Sequence, residues 1–143
     1  MKKIIYLRIL FTGIFIFTLV SVSYSAEWEH YGEVPSGSAY YDKENIKHMP
    51  NNIIRVWVKN VYSDTGKKES IKNLGDRFKD VKDTLYLFQI NCNEKKLSSV
   101  NVTDYDSKGS VISSDDNTTL KESIILPESV GEKLYKIVCK VTK

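Results

Sequence analysis

The chain has only two histidines and two cysteines among 143 residues, and that scarcity narrows its chemistry. His30 and His48 leave little for acid–base catalysis. No H-E-x-x-H, G-x-S-x-G or Walker-type stretch is present. The C-x-x-C spacing usual for a redox pair is missing, and a metal centre would need more ligands than these. Asp104-Tyr105-Asp106-Ser107-Lys108-Gly109 echoes a calcium loop, with Asp115 twelve residues along. Lys108 stands where an oxygen ligand belongs and the closing glutamate is absent, so a plain hairpin is expected. His30, beside Glu29, and His48, before Met49-Pro50, read as exposed histidines. Asn101-Val102-Thr103 and Asn117-Thr118-Thr119 match glycosylation acceptors, which matter only in a eukaryotic secretory host. No enzyme, cofactor or metal is expected.

An excess of charge is also lacking once the N-terminus is considered. Met1-Lys2-Lys3 and Arg8 precede an apolar run from Ile9 to Val20, followed by Ser21, Ser23, Ser25 and Ala26. A basic start, a short apolar stretch and small residues before a cut make a secretory signal peptide, residues 1–25, with the mature start at Ala26. The competing reading is a retained membrane anchor. The charge-free stretch from Ile9 to Ala26 is near the lower length limit for a spanning helix, and its serine-rich end favours cleavage. No cysteine follows the run to carry a lipid. Removing Lys2, Lys3 and Arg8 from the 21 basic residues leaves 18, equal to the 18 acidic ones. The mature chain is formally neutral, which gives no reason to propose nucleic-acid or anionic-lipid binding, or membrane insertion after cleavage. Lys67-Lys68 and Lys95-Lys96 are local basic pairs and read as solvated charge.

Residues 26–143 are enough for one domain and too few for two; no linker, repeat or low-complexity tract divides them. In an exported chain an even pair of cysteines usually bridges. A Cys92–Cys139 disulfide would close a long loop, worth roughly 4 kcal/mol in the chain-entropy model.

Strand patterns dominate what remains. Trp28 to Val34 reads as a first strand, Pro35-Ser36-Gly37 as a turn and Ser38 to Asp42 as a second strand. Asn45 to Asn52 reads as a turn with room for one helical turn. In Ile53 to Tyr62, Ile54, Val56 and Val58 alternate with Arg55, Trp57 and Lys59, the half-buried strand pattern. In residues 63–83, Ile71, Leu74, Phe78 and Val81 recur at helical spacing. Gly75 interrupts them, so a short helix and an anchored loop both remain open. Thr84 to Cys92 returns to a strand, with Leu85, Leu87 and Gln89 on one side and Tyr86, Phe88 and Ile90 on the other. Leu97 to Tyr105, the turn Asp106 to Gly109 and Val111-Ile112 read as a hairpin, and Asp115 to Thr119 as a polar loop. From Pro127 onward, Val130, Leu134, Ile137, Val138 and Val141 form an apolar helical stripe. Cys139 lies off that stripe, and a terminal strand through Ile137, Cys139 and Val141 is the alternative.

The order of these pieces carries a resemblance. Trp28, Tyr40-Tyr41-Asp42, Ile54 to Val58, Gln89-Ile90-Asn91-Cys92, Tyr105 with Gly109 to Ile112, Pro127 to Glu132 and Val138-Cys139 follow one another across nearly all of the mature chain. This pattern resembles the surface-adhesin protein E-like family of small exported bacterial proteins. The resemblance implies an α+β fold in which an antiparallel sheet is tied to a C-terminal helix by the Cys92–Cys139 disulfide. It also implies adhesion to host matrix proteins, and it places no binding residue.

The expected function is a non-enzymatic binding or adhesion module of the periplasm or cell surface, with a host matrix or envelope protein as partner. A structural envelope protein dimerising through a sheet edge is the alternative. Tyrosine and tryptophan favour binding surfaces and also pack cores. Trp57, in the strongest strand, is expected in the core, and one of Tyr40 and Tyr41 faces outward.

Overall fold

Alternation of β-branched and aromatic residues with polar ones produces the central strand of the fold. The computed structural model describes residues 26–116 and 120–140; the expected export signal and Val141 lie outside the described residues. The strands are β1 (Trp28–Val34), β2 (Gly37–Asp42), β3 (Lys47–Met49), β4 (Ile53–Tyr62), β5 (Val81–Asn91), β6 (Lys96–Asp106), β7 (Val111–Asp116) and β8 (Ser123–Ile124). They form one sheet in the order β1-β2-β4-β5-β6-β7, with β3 on the end of β4 and β8 on the end of β6. Every pairing is antiparallel. Apart from the short strands β3 and β8, neighbours in sequence are neighbours in space, as short connections favour.

The register decides which face each residue takes. Ile54, Val56 and Val58 oppose Ile90, Phe88 and Tyr86 across β4–β5, and Tyr41 of β2 opposes Val58. These residues meet Leu134 and Val138 of α2 (Val130–Val138), together with Cys92 and Ile125, in the core. Each large side chain fully buried there contributes roughly 1.5–3 kcal/mol. Burial also pushes the Tyr31 and Tyr86 hydroxyls up to about 12, because the phenolate is the form that loses hydration.

Residues 63–83 resolve into a helix, a turn and the start of a strand. Helix α1 (Asp64–Leu74) begins where the Ser63 hydroxyl accepts the Gly66 N–H at 3.1 Å. It ends where Gly75, at φ 91°, gives its N–H to the Ile71 carbonyl. Gly75 is therefore the helix stop. Phe78 lies in the 3-10 turn Asp76–Phe78 and Val81 opens β5; both are buried, while Leu74 is 52% exposed. The four apolar residues at helical spacing do not share one helix face.

Helix α2 starts later than Pro127. The Ser129 hydroxyl accepts the Glu132 N–H at 3.1 Å, and Pro127-Glu128 lead in from outside. Ile137 stays helical and Cys139 caps the helix through its N–H to Tyr135 O at 2.8 Å, so the terminal-strand alternative does not form there. The Cys92–Cys139 disulfide, with 5.7 Å between the two Cα atoms, joins the end of β5 to the end of α2. Tyr135 Oη also donates to Cys92 O at 3.1 Å.

The start of α2 is fastened by Glu132. Its carboxylate accepts the Glu128 N–H at 2.9 Å and meets Lys95 Nζ at 3.3 Å and Lys136 Nζ at 3.1 Å. The Glu128 amide first, and then the two ammonium groups, lower its pKa from 4.5 to about 2. A carboxyl held low in the folded state stabilises it above the unfolded pKa and loses that contribution as pH falls toward the folded one. Glu132→Gln is therefore expected to lower the urea midpoint by a constant amount above about pH 5, and the difference should close as pH approaches 2. A difference that persists unchanged at pH 2 would show that the carboxylate charge is not what holds α2.

Candidate binding face

Antiparallel sheets commonly bury one face and leave the other to solvent. Here α2 takes the face of Val56 and Val58. The alternate residues of β4, namely Arg55, Trp57 and Lys59, oppose Gln89, Leu87 and Leu85 of β5 on the other face. Tyr40 opposes Lys59, His30 opposes Tyr40, and Tyr105 opposes Asp83 on the same side. Trp57, Leu85 and Leu87 are half-buried at the middle of this face. Trp57 thus lies opposite the core. Alternation separates two faces, and the position of α2, which the β4 pattern does not contain, decides which is the inner one. Tyr41 is buried in the core and Tyr40 faces outward, as their adjacency requires.

At one side of this face is a depression of about 310 Å³. Trp28 and Tyr105 flank it, Leu85 lies between them, and Lys59, Lys82 and Asp83 bring charge; the Asp106–Gly109 turn closes the rim. The Lys59 ammonium sits 4.3 Å from the centre of the Trp28 ring and 5.8 Å from that of Tyr40, within cation–π range. Partial burial lowers the Lys59 pKa, and the Asp83 carboxylate opposes that shift. The Asp83 side chain is 14% exposed, with its nearest ammonium, Lys82, at 3.9 Å.

The other residues singled out above lie elsewhere. His30 Nε2 is 2.9 Å from Glu33 Oε1, and its ring meets Tyr40 edge-on at 5.3 Å; His48 is exposed on β3. Ser38 first, then His30, hold the Glu33 carboxyl below its ordinary range. Asp106 Oδ1 accepts the Lys108 and Ser110 N–H groups, each at 2.8 Å, building the β6–β7 hairpin turn. Lys95 and Lys96 are spent on Glu132, Glu94 and Glu122. Cys92 and Cys139 are both in the disulfide, distant in role from the open face. Among the described residues no three His, Cys, Asp or Glu side chains gather as metal ligands, and no helix is long and apolar enough to cross a membrane. The grouping of Trp28, Lys59, Asp83 and Tyr105 was not anticipated. Its signal lies in the strand alternation combined with the strand order, and only the alternation is visible in one sequence.

The architecture defines a class, an α+β domain with a one-sided antiparallel sheet and a disulfide-clamped C-terminal helix. The family model described as Surface-adhesin protein E matches residues 28–140, and the chain belongs to that family. Among solved structures, Haemophilus influenzae protein E is similar at 16% identity, with a TM-score of 0.49 and coverage of 77% of this chain and 83% of that one. Crystal form II of the same protein gives 16% identity, a TM-score of 0.46 and coverage of 71% and 79%. Its Se-Met form gives 15%, 0.49, and coverage of 80% and 92%. No curated protein matches the chain.

Proposed function

We propose that this protein is an exported, non-enzymatic binding module of the bacterial cell envelope, of adhesin type, meeting its partner across the open face of the sheet. In this reading residues 1–25 are removed on export, residues 26–143 fold as one domain, and the partner is a host matrix or envelope component. Family membership supports the adhesin class. The observation that carries the use of this face is its half-buried apolar centre of Trp57, Leu85 and Leu87, with Trp28, Tyr40 and Tyr105 on the same side of the sheet, away from α2. Aromatic residues surrounded by polar ones are where binding energy concentrates.

The test is binding of residues 26–143 to surfaces coated with matrix glycoproteins and envelope proteins. Trp57→Ala with Leu87→Ser should weaken binding roughly 30-fold, the loss of about 2 kcal/mol from a hot spot. Circular dichroism must show the fold unchanged. Wild-type affinity in that variant would remove the face from the binding site.

A second reading, assembly through a sheet edge, is favoured by β7. Its outer edge pairs with no described strand, and Val111 there is 57% exposed. Light scattering on the same samples separates the two readings, since only the second requires a dimer.

A further inference from the structure

We propose that the depression between Trp28 and Tyr105 receives a neutral pyranose ring of a glycan. The inference rests on the open face being the binding face, and it names the chemistry recognised there.

Size comes first. At about 310 Å³ the depression is at the small end of ligand pockets. It has room for one ring of a larger ligand and not for an extended cofactor. Lys59 covers one face of the Trp28 ring; the rest of Trp28 and the Tyr105 ring line the depression with apolar aromatic surface that can pack against the C–H face of a sugar ring while the ring hydroxyls point elsewhere.

The polar groups then restrict the ligand. Lys59 Nζ offers donors only, and Trp28 holds it in place at 4.3 Å. Asp83 offers acceptors only. Its carboxylate receives no hydrogen bond among the described residues, and Lys82 at 3.9 Å is too far to donate one. The Asp83 side chain is 14% exposed, so solvent reaches its oxygens and a ligand hydroxyl can replace that water and donate to them. A ligand suited to both groups must accept from Lys59 and donate to Asp83. A hydroxyl does both, and a pyranose carries several on one edge.

Charge disfavours a ligand carrying a single sign. Lys59 and Lys82 face Asp83 and Asp106 around the depression, and Asp106 is already engaged by two backbone amides. A cationic or an anionic ligand would meet a like charge. An extended peptide gains most from main-chain pairing, and those bonds run in the plane of the sheet, not out of its face.

The sugar chemistry has two sources, a glycoprotein or a free polysaccharide, and the experiment distinguishes them. Saturation-transfer NMR with cellotriose, chitotriose and lactose, each at about 1 mM, should show transfer to ring C–H protons for at least one. Trp28→Ala should abolish that signal, and the isosteric Asp83→Asn should weaken it about tenfold. Binding to a matrix-glycoprotein coat is measured before and after periodate, which cleaves vicinal diols. Loss after periodate assigns the sugar to the glycoprotein; saccharide binding without coat binding assigns it to a free polysaccharide; both uphold the proposal. No transfer from any of the three saccharides, or transfer unchanged in both variants, overturns it. If the coat is still bound, insensitive to periodate but lost in Trp57→Ala with Leu87→Ser, the open-face reading stands and the sugar inference alone falls.

Discussion

Replacing Cys92 and Cys139 together by serine is expected to lower the stability of the domain by about 4 kcal/mol and its Tm by on the order of 15 °C. The bridge spans 47 residues of sequence, and freeing that loop restores entropy to the unfolded chain. The folded side adds to the effect. Cys92 is buried beside Ile90 and Leu134, and a serine hydroxyl there would need a partner. The remaining ties of α2 are not lost with the bridge: Leu134 and Val138 stay in the core, Tyr135 still donates to the backbone carbonyl of position 92, and Glu132 still meets Lys95. The variant should fold, with hydrogen exchange in Val130–Val138 accelerated more than in β4 and β5. Reduction of the wild type should reproduce the Tm shift. A double-serine variant melting within about 3 °C of wild type would show that α2 docks without its clamp.

The clamp was legible because it depends on few things. Two cysteines have one pairing available, and their number does not depend on tertiary detail. The long strands were legible for a similar reason. Ile54, Val56 and Val58 alternate with Arg55, Trp57 and Lys59 within a ten-residue strand, and one-sided burial stamps that period on the sequence. What was hidden follows from non-local geometry. Trp28 and Tyr105 stand on strands β1 and β6, and only the sheet order brings them to one depression. Trp57 was assigned to the wrong face because its period is the same on either side. The two-residue strand β8 and the three-residue β3 are too short to show any period, and they exist because β6 and β4 offer open edges to them. Pro127 marks the start of α2 in the sequence, whereas Ser129 caps it in the structure. Proline suits a first turn, but the hydroxyl that accepts an amide decides where the helix begins.

Gly66→Ala is expected to destabilise the protein by about 3 kcal/mol, against the direction of helix propensity. Gly66 lies in the first turn of an eleven-residue helix, where alanine normally favours the helix by up to about 1 kcal/mol. At this position an added Cβ would overlap the Ser36 carbonyl oxygen and come to 2.7 Å from its carbon. The obstacle is backbone, which cannot rotate aside as a side chain does. Two more contacts fix the same approach: Ser63 N–H and Ser63 Oγ both donate to Ser36 O, at 2.9 and 3.3 Å. Relief of the overlap therefore means lifting α1 off the β1–β2 turn and losing those bonds. Gly75→Ala is the control. Gly75 sits at φ 91° and ψ 175°, a region essentially reserved for glycine, with nothing within 4 Å of an added Cβ, so only the backbone penalty of about 1–3 kcal/mol applies. Urea denaturation should place Gly66→Ala below Gly75→Ala, and both below wild type. A Gly66→Ala protein as stable as wild type would mean that α1 does not rest on the β1–β2 turn. In that case the glycine that matters in this segment would be Gly75, the one conspicuous in the sequence, and not Gly66, which only the packing of the helix against Ser36 makes necessary.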